Sequence, residues 1–208
     1  MTSHEETKVR RTPKQDRGAR RIAKILDAAA AVFDEVGYEA ATTVTIAARA
    51  QTAVGSLYQF FPNKDAIVQG LLERYSVQLH AVFEAIVTPD LVTLPLPTVL
   101  DHVLDPLMEF ELGQSGFKAL FMGIPASSPV VAATQALTDE VARRLATIIH
   151  SRVPQIDPVK ARRHSLVCVQ IVKSFLALTP ADASFSRDEA LTEMKAVLLA
   201  YLRPIVGR

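Results

Sequence analysis

The chain is 208 residues long, 49% hydrophobic and 22% charged, enough material for a sizeable core, which excludes a disordered chain and a large multidomain enzyme. Its one cysteine closes no internal disulfide, and no apolar run reaches the roughly 18 residues of a membrane span, so a reducing, cytoplasmic setting with no membrane partner is expected. The net charge of +1 conceals an asymmetry: residues 1–64 carry ten Lys/Arg against seven Asp/Glu, residues 65–208 thirteen against fifteen.

Residues 1–18 are polar, basic and aperiodic and read as a flexible arm, the kind of segment that neutralises a phosphate backbone. From Ile22 the apolar residues Ile25, Leu26, Ala29, Val32, Phe33 and Val36 fall at steps of three and four, one face of a helix that Gly37 closes. Thr42 and Thr43 can cap a second, short helix with Ile46, Ala47 and Ala50 inward. A third short helix from Val54 to about Phe61 puts Leu57 and Phe61 on one side, and Pro62 ends it. Asn63 caps a fourth, about 24 residues long by its periodicity, with Asp65 in the first turn where the helix dipole favours an acid. Pro89, Pro95 and Pro97 place a loop at 88–98, and further helices are predicted over 98–112, 115–123, 129–152, 158–178 and 187–203. No segment alternates like a strand. The expected fold class is all-α: an arm over 1–18, a three-helix helix-turn-helix unit over 19–66 and a larger helical domain over 67–208.

The short second and third helices, joined by a tight turn, have the layout of a unit that presents one helix to a DNA major groove of roughly 12 Å. The candidate base readers are Val54, Gly55, Ser56 and Gln59: an apolar group for a thymine methyl, a glycine for close approach, and two side chains that hydrogen-bond base edges. Tyr58, Lys64, Thr42 and Thr43 are the candidate phosphate contacts.

At these residues the sequence resembles the TetR family of transcriptional repressors. The run from Gly37 to Asp65, GYEAATTVTIAARAQTAVGSLYQFFPNKD, follows the family's DNA-binding pattern at some ten positions: Gly37 and Tyr38, Ile46 and Ala47, Gly55-Ser56-Leu57-Tyr58, Phe61, and Lys64 before an acid. With Ile22 to Phe33 the resemblance covers about 50 residues, and it implies that the chain beyond about residue 75 binds a small effector and dimerises. Two departures stand out. Gln51-Thr52-Ala53 replaces the usual Gly-Val-Ser turn, so Gln51 is expected in a left-handed conformation and Thr52 offers itself as a displaced helix cap. Position 60 is Phe where His or Tyr is common.

Other constellations are weaker. His164 and Cys168 are four apart on one predicted helix, without a second pair to complete a metal site. No nucleophile with a base, acid/base pair or metal set can be assembled, so no enzyme activity, cofactor or metal is expected. Phe110, Phe117, Phe121 and Met122, near the Gly and Pro breaks, are candidates to line an apolar effector cavity. The last two helices carry wide apolar stripes, including Ile171, Phe175, Met194, Leu198 and Tyr201, which the resemblance assigns to a two-fold dimer interface; closing the monomer's own core is the competing account.

The expected function is a homodimeric regulator that leaves a palindromic double-stranded DNA operator when a small, apolar effector binds. The alternative is an all-helical ligand sensor whose amino-terminal unit no longer reads DNA.

Overall fold

The computed structural model describes residues 13–121, 128–178 and 186–207. Among them lie nine α-helices: α1 (Pro13–Ala40), α2 (Thr43–Arg49), α3 (Val54–Tyr58), α4 (Lys64–Ile86), α5 (Leu96–Gly113), α6 (Phe117–Phe121), α7 (Ser128–Arg152), α8 (Pro158–Leu178) and α9 (Arg187–Val206). A 3-10 turn at Leu91–Thr93 joins α4 to α5, and no strand occurs among the described residues. The all-α expectation holds.

Boundaries differ from the periodicity at several ends: α3 stops at Tyr58 instead of about Phe61, α6 is shorter than 115–123, α9 runs to Val206 instead of 203, and α1 and α5 start early. Helix α1 begins at Pro13, so residues 13–18 of the expected arm are helical. Pro13 pre-sets the first-turn geometry and Lys14, Gln15, Arg17 and Arg20 are good helix formers, so a segment without an apolar stripe still extends the helix. The rest of the arm, residues 1–12, lies outside the described residues. Helix α5 begins at Leu96 instead of 98, with Pro97 in its first turn, where a missing N–H costs nothing.

The caps follow the sequence. Thr42 accepts the Thr45 N–H at 3.1 Å while Thr45 Oγ1 accepts the Thr42 N–H at 3.0 Å, a reciprocal box at the start of α2. Asn63 Oδ1 accepts the Ala66 N–H at the start of α4, and Ser186 with Glu189 closes a second box on α9. Gly37 turns the chain at φ 75° near the end of α1.

The amino-terminal unit packs Ile25, Phe33, Ile46, Leu57 and Phe61 against Ile67, Val68 and Leu71 of α4. The same core continues without a break along α4 through Tyr75 and Phe83 to Phe117, Leu120 and Val169 of the carboxy-terminal helices. A second core, with Leu100, Leu104, Ile149, Cys168, Met194 and Leu198, sits among α5, α7, α8 and α9. Helix α4 is thus buried at its amino end in one unit and along its length in the other.

Candidate nucleic-acid interface

Helix α3 divides by burial. Leu57 is fully buried in the core that α3 shares with α1, α2 and α4, whereas Gly55 and Gln59 are exposed, Val54 and Ser56 half-buried, and Tyr58 48% exposed. Leu57 thus anchors one turn of helix, with Gly55 and Gln59 on its outer side, Ser56 half-buried at its edge, and Val54 packed partly against the core. Ala53 caps α3 without a side-chain hydrogen bond, so the expected displaced cap at Thr52 is not made.

The turn before α3 puts Gln51 at φ 50°, the one positive-φ residue other than glycine among those described. The left-handed geometry that the missing glycine would have supplied is retained, and the Gln51 carboxamide oxygen accepts a hydrogen bond from Lys24 Nζ at 3.1 Å. Arg49 of α2 grips Glu35 of α1 through two hydrogen bonds of 2.7 and 2.6 Å, a surface fork that fixes the angle between these helices and holds the Glu35 carboxyl below its ordinary pKa.

The candidate phosphate contacts separate into two groups. Thr43 Oγ1 and the Tyr58 hydroxyl are 3.0 Å apart, bridging the start of α2 and the end of α3, and Thr42 is exposed beside them. Lys64 is differently placed. Its ammonium donates to the carbonyls of Tyr38 at 2.7 Å and Ala41 at 3.0 Å, with Glu39 at 3.4 Å, and lies 4.0 Å from the centre of the Tyr38 ring. Three donors are spent on the carbonyls that the end of α1 leaves unpaired, so Lys64 acts as a clamp between α1 and α4 where the sequence suggested a phosphate ligand. The Tyr38 hydroxyl donates to Asp65, which with burial raises the phenol well above its ordinary pKa.

In the carboxy-terminal half a cavity of about 110 Å³, partly continuous with solvent, opens among α5, α7, α8 and α9. All its lining side chains are hydrocarbon or thioether except Glu111, Arg152 and Cys168. Of the four expected effector residues, Phe110 and Phe117 line it, with rings edge-to-face at 5.1 Å; the Phe121 side chain and Met122 lie outside the described residues. Both charged residues in the wall are engaged. Glu111 accepts from Arg187 at 2.7 Å, and Arg152 donates to the carbonyls of Leu94 at 2.6 Å and Val92 at 3.2 Å. Burial pushes the Cys168 thiol up to about 12. Sequence reasoning missed most of this wall, because Val103, Val172 and Leu202 repeat at the same spacing as ordinary core residues.

The expected dimer residues also divide. Met194 and Leu198 are each 2% exposed, packed inside the monomer where the inner face of α9 closes the second core, and Leu198 lines the cavity. Ile171, Phe175 and Tyr201 are half-buried, and the Tyr201 hydroxyl is 2.8 Å from His164 Nδ1. His164 therefore has an aromatic partner, and no group of three metal-ligating side chains exists among the described residues. No helix among them is long and apolar enough to cross a membrane.

Comparison with known proteins gives this geometry a context. The chain is 43% identical over 61 residues to the A-factor receptor protein of Streptomyces griseus, a stretch covering 29% of this chain and 22% of that protein. It is 43% identical over 58 residues to the HTH-type transcriptional repressor KstR of Mycolicibacterium smegmatis, 28% of either chain. The matched stretch thus spans less than a third of the length of these relatives. Among solved structures, a TetR-family transcriptional regulator from Streptomyces coelicolor superposes with a TM-score of 0.64 at 28% identity, covering 89% of this chain and 99% of that one. A TetR-like regulator from Rhodococcus sp. RHA1 does so at 0.67 and 18% identity, covering 95% and 100%. The family model for bacterial regulatory proteins of the tetR family matches residues 25–71, and the model for the tetracyclin repressor-like carboxy-terminal domain matches residues 95–202. With both halves matched, the chain belongs to the TetR family of transcriptional regulators.

Proposed function

We propose that the protein is a homodimeric repressor that holds a palindromic operator with two copies of α3 and releases it when an uncharged, apolar molecule fills the cavity among α5, α7, α8 and α9. The observation that carries the DNA-binding part is the split of α3, with Leu57 inward and Gly55, Tyr58 and Gln59 outward beside the exposed Thr42. Reading by α3 falls to Val54, Gly55, Ser56 and Gln59; backbone contact falls to Thr42, Thr43 and Tyr58, with Lys64 holding the scaffold. Two half-sites about one helical turn apart, roughly 34–36 Å, require two such helices at a fixed separation, which a two-fold dimer through α8 and α9 supplies.

The effector part rests on the wall of the cavity. Its carboxylate is already paired with Arg187, so a cationic ligand would find no free counter-charge, and its guanidinium is held by the Leu94 and Val92 carbonyls, with which an anionic ligand would have to compete for its donors. An occupant acts only if it favours one packing of the carboxy-terminal helices over another, and α4, which lines the cavity with Leu79 and runs through the core that joins the amino-terminal unit to α6, α7 and α8, is placed to carry that difference to the DNA-binding unit.

The test is a fluorescence-anisotropy titration of the full chain against duplexes it enriches from a random pool, at several salt concentrations. Sequence-specific binding with a steep salt slope is expected. Enrichment of no sequence, with salt-independent absence of binding, would favour a ligand sensor that has lost DNA recognition.

A further inference from the structure

The cavity is long, and its polarity is unequal from end to end. Along α5 its wall runs from Leu96 to Glu111, about 22 Å at the helical rise of roughly 1.5 Å per residue. A volume of about 110 Å³ spread over that length makes a slot and not a rounded chamber. At the roughly 10–15 Å³ that one water requires, the slot takes on the order of nine water-sized groups in a row.

Its two ends differ. At the amino end of α5 the Arg152 guanidinium is turned to the carbonyls of Val92 and Leu94. At the carboxy end stands Glu111, 7% exposed and the one carboxylate in the wall. Arg187, the first residue of α9, donates to Glu111 Oε2 at 2.7 Å and to the Met108 carbonyl at 3.3 Å. Lys118 of α6 lies within electrostatic reach of both charges. Neither cation lines the cavity, so both stand behind the carboxylate as seen from the slot. The second oxygen, Oε1, has no hydrogen-bond partner among the described residues. A carboxylate accepts at both oxygens, and burying one without a donor is costly. Apart from Arg152 at the far end and the weakly donating Cys168 thiol, the wall has no side-chain donor for it.

We propose that Glu111 is the head-group subsite of the cavity: its Oε1 accepts a hydrogen bond from the terminal hydroxyl or N–H of an unbranched, uncharged amphiphile whose hydrocarbon chain lies along α5 toward Leu96. The proposal rests on the effector reading of the cavity and adds the class of molecule and its direction. A hydroxyl brings a donor and no charge. An ammonium would meet the positive charges of Arg187 and Lys118 behind the carboxylate, and a second carboxylate brings no donor at all.

The experiment uses the full chain and four defined probes: n-octanol, its methyl ether, which keeps the chain and lacks the donor, and the shorter alcohols n-hexanol and n-butanol. Each Kd is read from protection of Cys168, which lines the same wall, against a disulfide reagent. The octanol is expected to bind at least about fivefold tighter than its ether, the effect of one hydrogen bond to a charged acceptor less the gain from the ether's extra carbon. Among the alcohols, affinity is expected to rise about fourfold per added methylene from four carbons to eight. Glu111→Leu is expected to abolish or reverse the preference for the alcohol, whereas a merely structural role would weaken both probes alike and leave their ratio unchanged. If melting by circular dichroism shows that Glu111→Leu does not fold, Glu111→Met, unbranched and of similar length, enters with the same criteria. Equal affinity of alcohol and ether for the wild-type chain, or a ratio unchanged by the substitution, overturns the subsite and leaves the effector reading standing. An affinity that stops rising at four carbons overturns the chain-like class of ligand. Protection by none of the four probes overturns the subsite and the effector reading together.

Discussion

The hydroxyls of Thr43, the first residue of α2, and Tyr58, the last of α3, lie 3.0 Å apart on the outer face of the amino-terminal unit. Each hydroxyl carries one hydrogen, and their mutual bond uses one of the two, so the pair keeps a donor to offer a phosphate oxygen. Tyr58→Phe removes that donor and the tie between the helices together. Binding should weaken by about fivefold, equivalent to about 1 kcal/mol, and equally on every duplex tested. The slope of log Kd against log salt should not move, because a hydroxyl releases no counterion. A change confined to particular operator sequences would place Tyr58 among the base readers instead.

Ser56 and Gln59 should behave in the opposite manner. Gln59 lies on the outer side of α3 and Ser56 at its edge, and their side chains hydrogen-bond base edges in the geometry proposed. Gln59→Ala or Ser56→Ala is expected to relax selection at one or two positions per half-site, at about 1–3 kcal/mol for a lost base contact. Sequencing of the pools enriched by wild type and variants reads this directly. An unchanged preference would mean that α3 does not enter the groove by this face.

The amino-terminal unit was legible because its signals are local. Thr42, Gly37, Asn63 and Pro62 each act within a few residues, and the i, i+3, i+4 stripe around Leu57 predicts which side of α3 faces out. What escaped the sequence was long-range or ambiguous. Lys64 looks like a surface cation until the fold brings the end of α1 to it, 23 to 26 residues back in sequence. Met194 and Leu198 stand on a stripe wide enough for two surfaces, and periodicity does not say which half faces the monomer. The contact between Asp34 and Gly116 spans 82 residues and carries no local mark beyond a glycine.

Gln51 gives a stability prediction. An L-residue at φ 50° costs about 1 kcal/mol that glycine avoids, while the exposed hydrogen bond from Lys24 returns little. Gln51→Gly is expected to raise Tm by about 2–4 °C for a chain of this length, and Gln51→Val to lower it, since a β-branched side chain tolerates that region least. A fall in Tm for the glycine variant would mean that the Lys24 contact outweighs the backbone strain.

The two faces of α9 should separate in solution. Val197 is exposed and Ile171 on α8 half-buried, so Val197→Glu and Ile171→Glu are expected to give monomers by sedimentation with little change in helicity. Met194→Ala removes a side chain from inside the second core and should cost about 2–5 kcal/mol by urea denaturation without changing the association state. Monomers from Met194→Ala and intact dimers from Val197→Glu would reverse the assignment of the faces.

Cys168 offers a reporter for what fills the cavity. Its thiol lines the wall, and burial raises it from the ordinary value of 9.0 to about 12, so the neutral form persists throughout the range from pH 7 to 9. Reaction with a disulfide reagent at pH 8 is expected to be at least about a hundredfold slower than for an exposed cysteine, because only the thiolate attacks. Rate should rise with pH without a plateau below pH 10, the sign that a raised thiol pKa requires. A neutral ten-carbon alcohol in the cavity should slow the labelling further and raise Tm, by mass action on the folded state. The ten-carbon carboxylate should do neither at the same concentration, because the wall presents it with Glu111 and with an Arg152 already donating to two carbonyls. Protection by the carboxylate alone would show that Arg152 gives up those carbonyls for a ligand, and the effector would then have to be an acid.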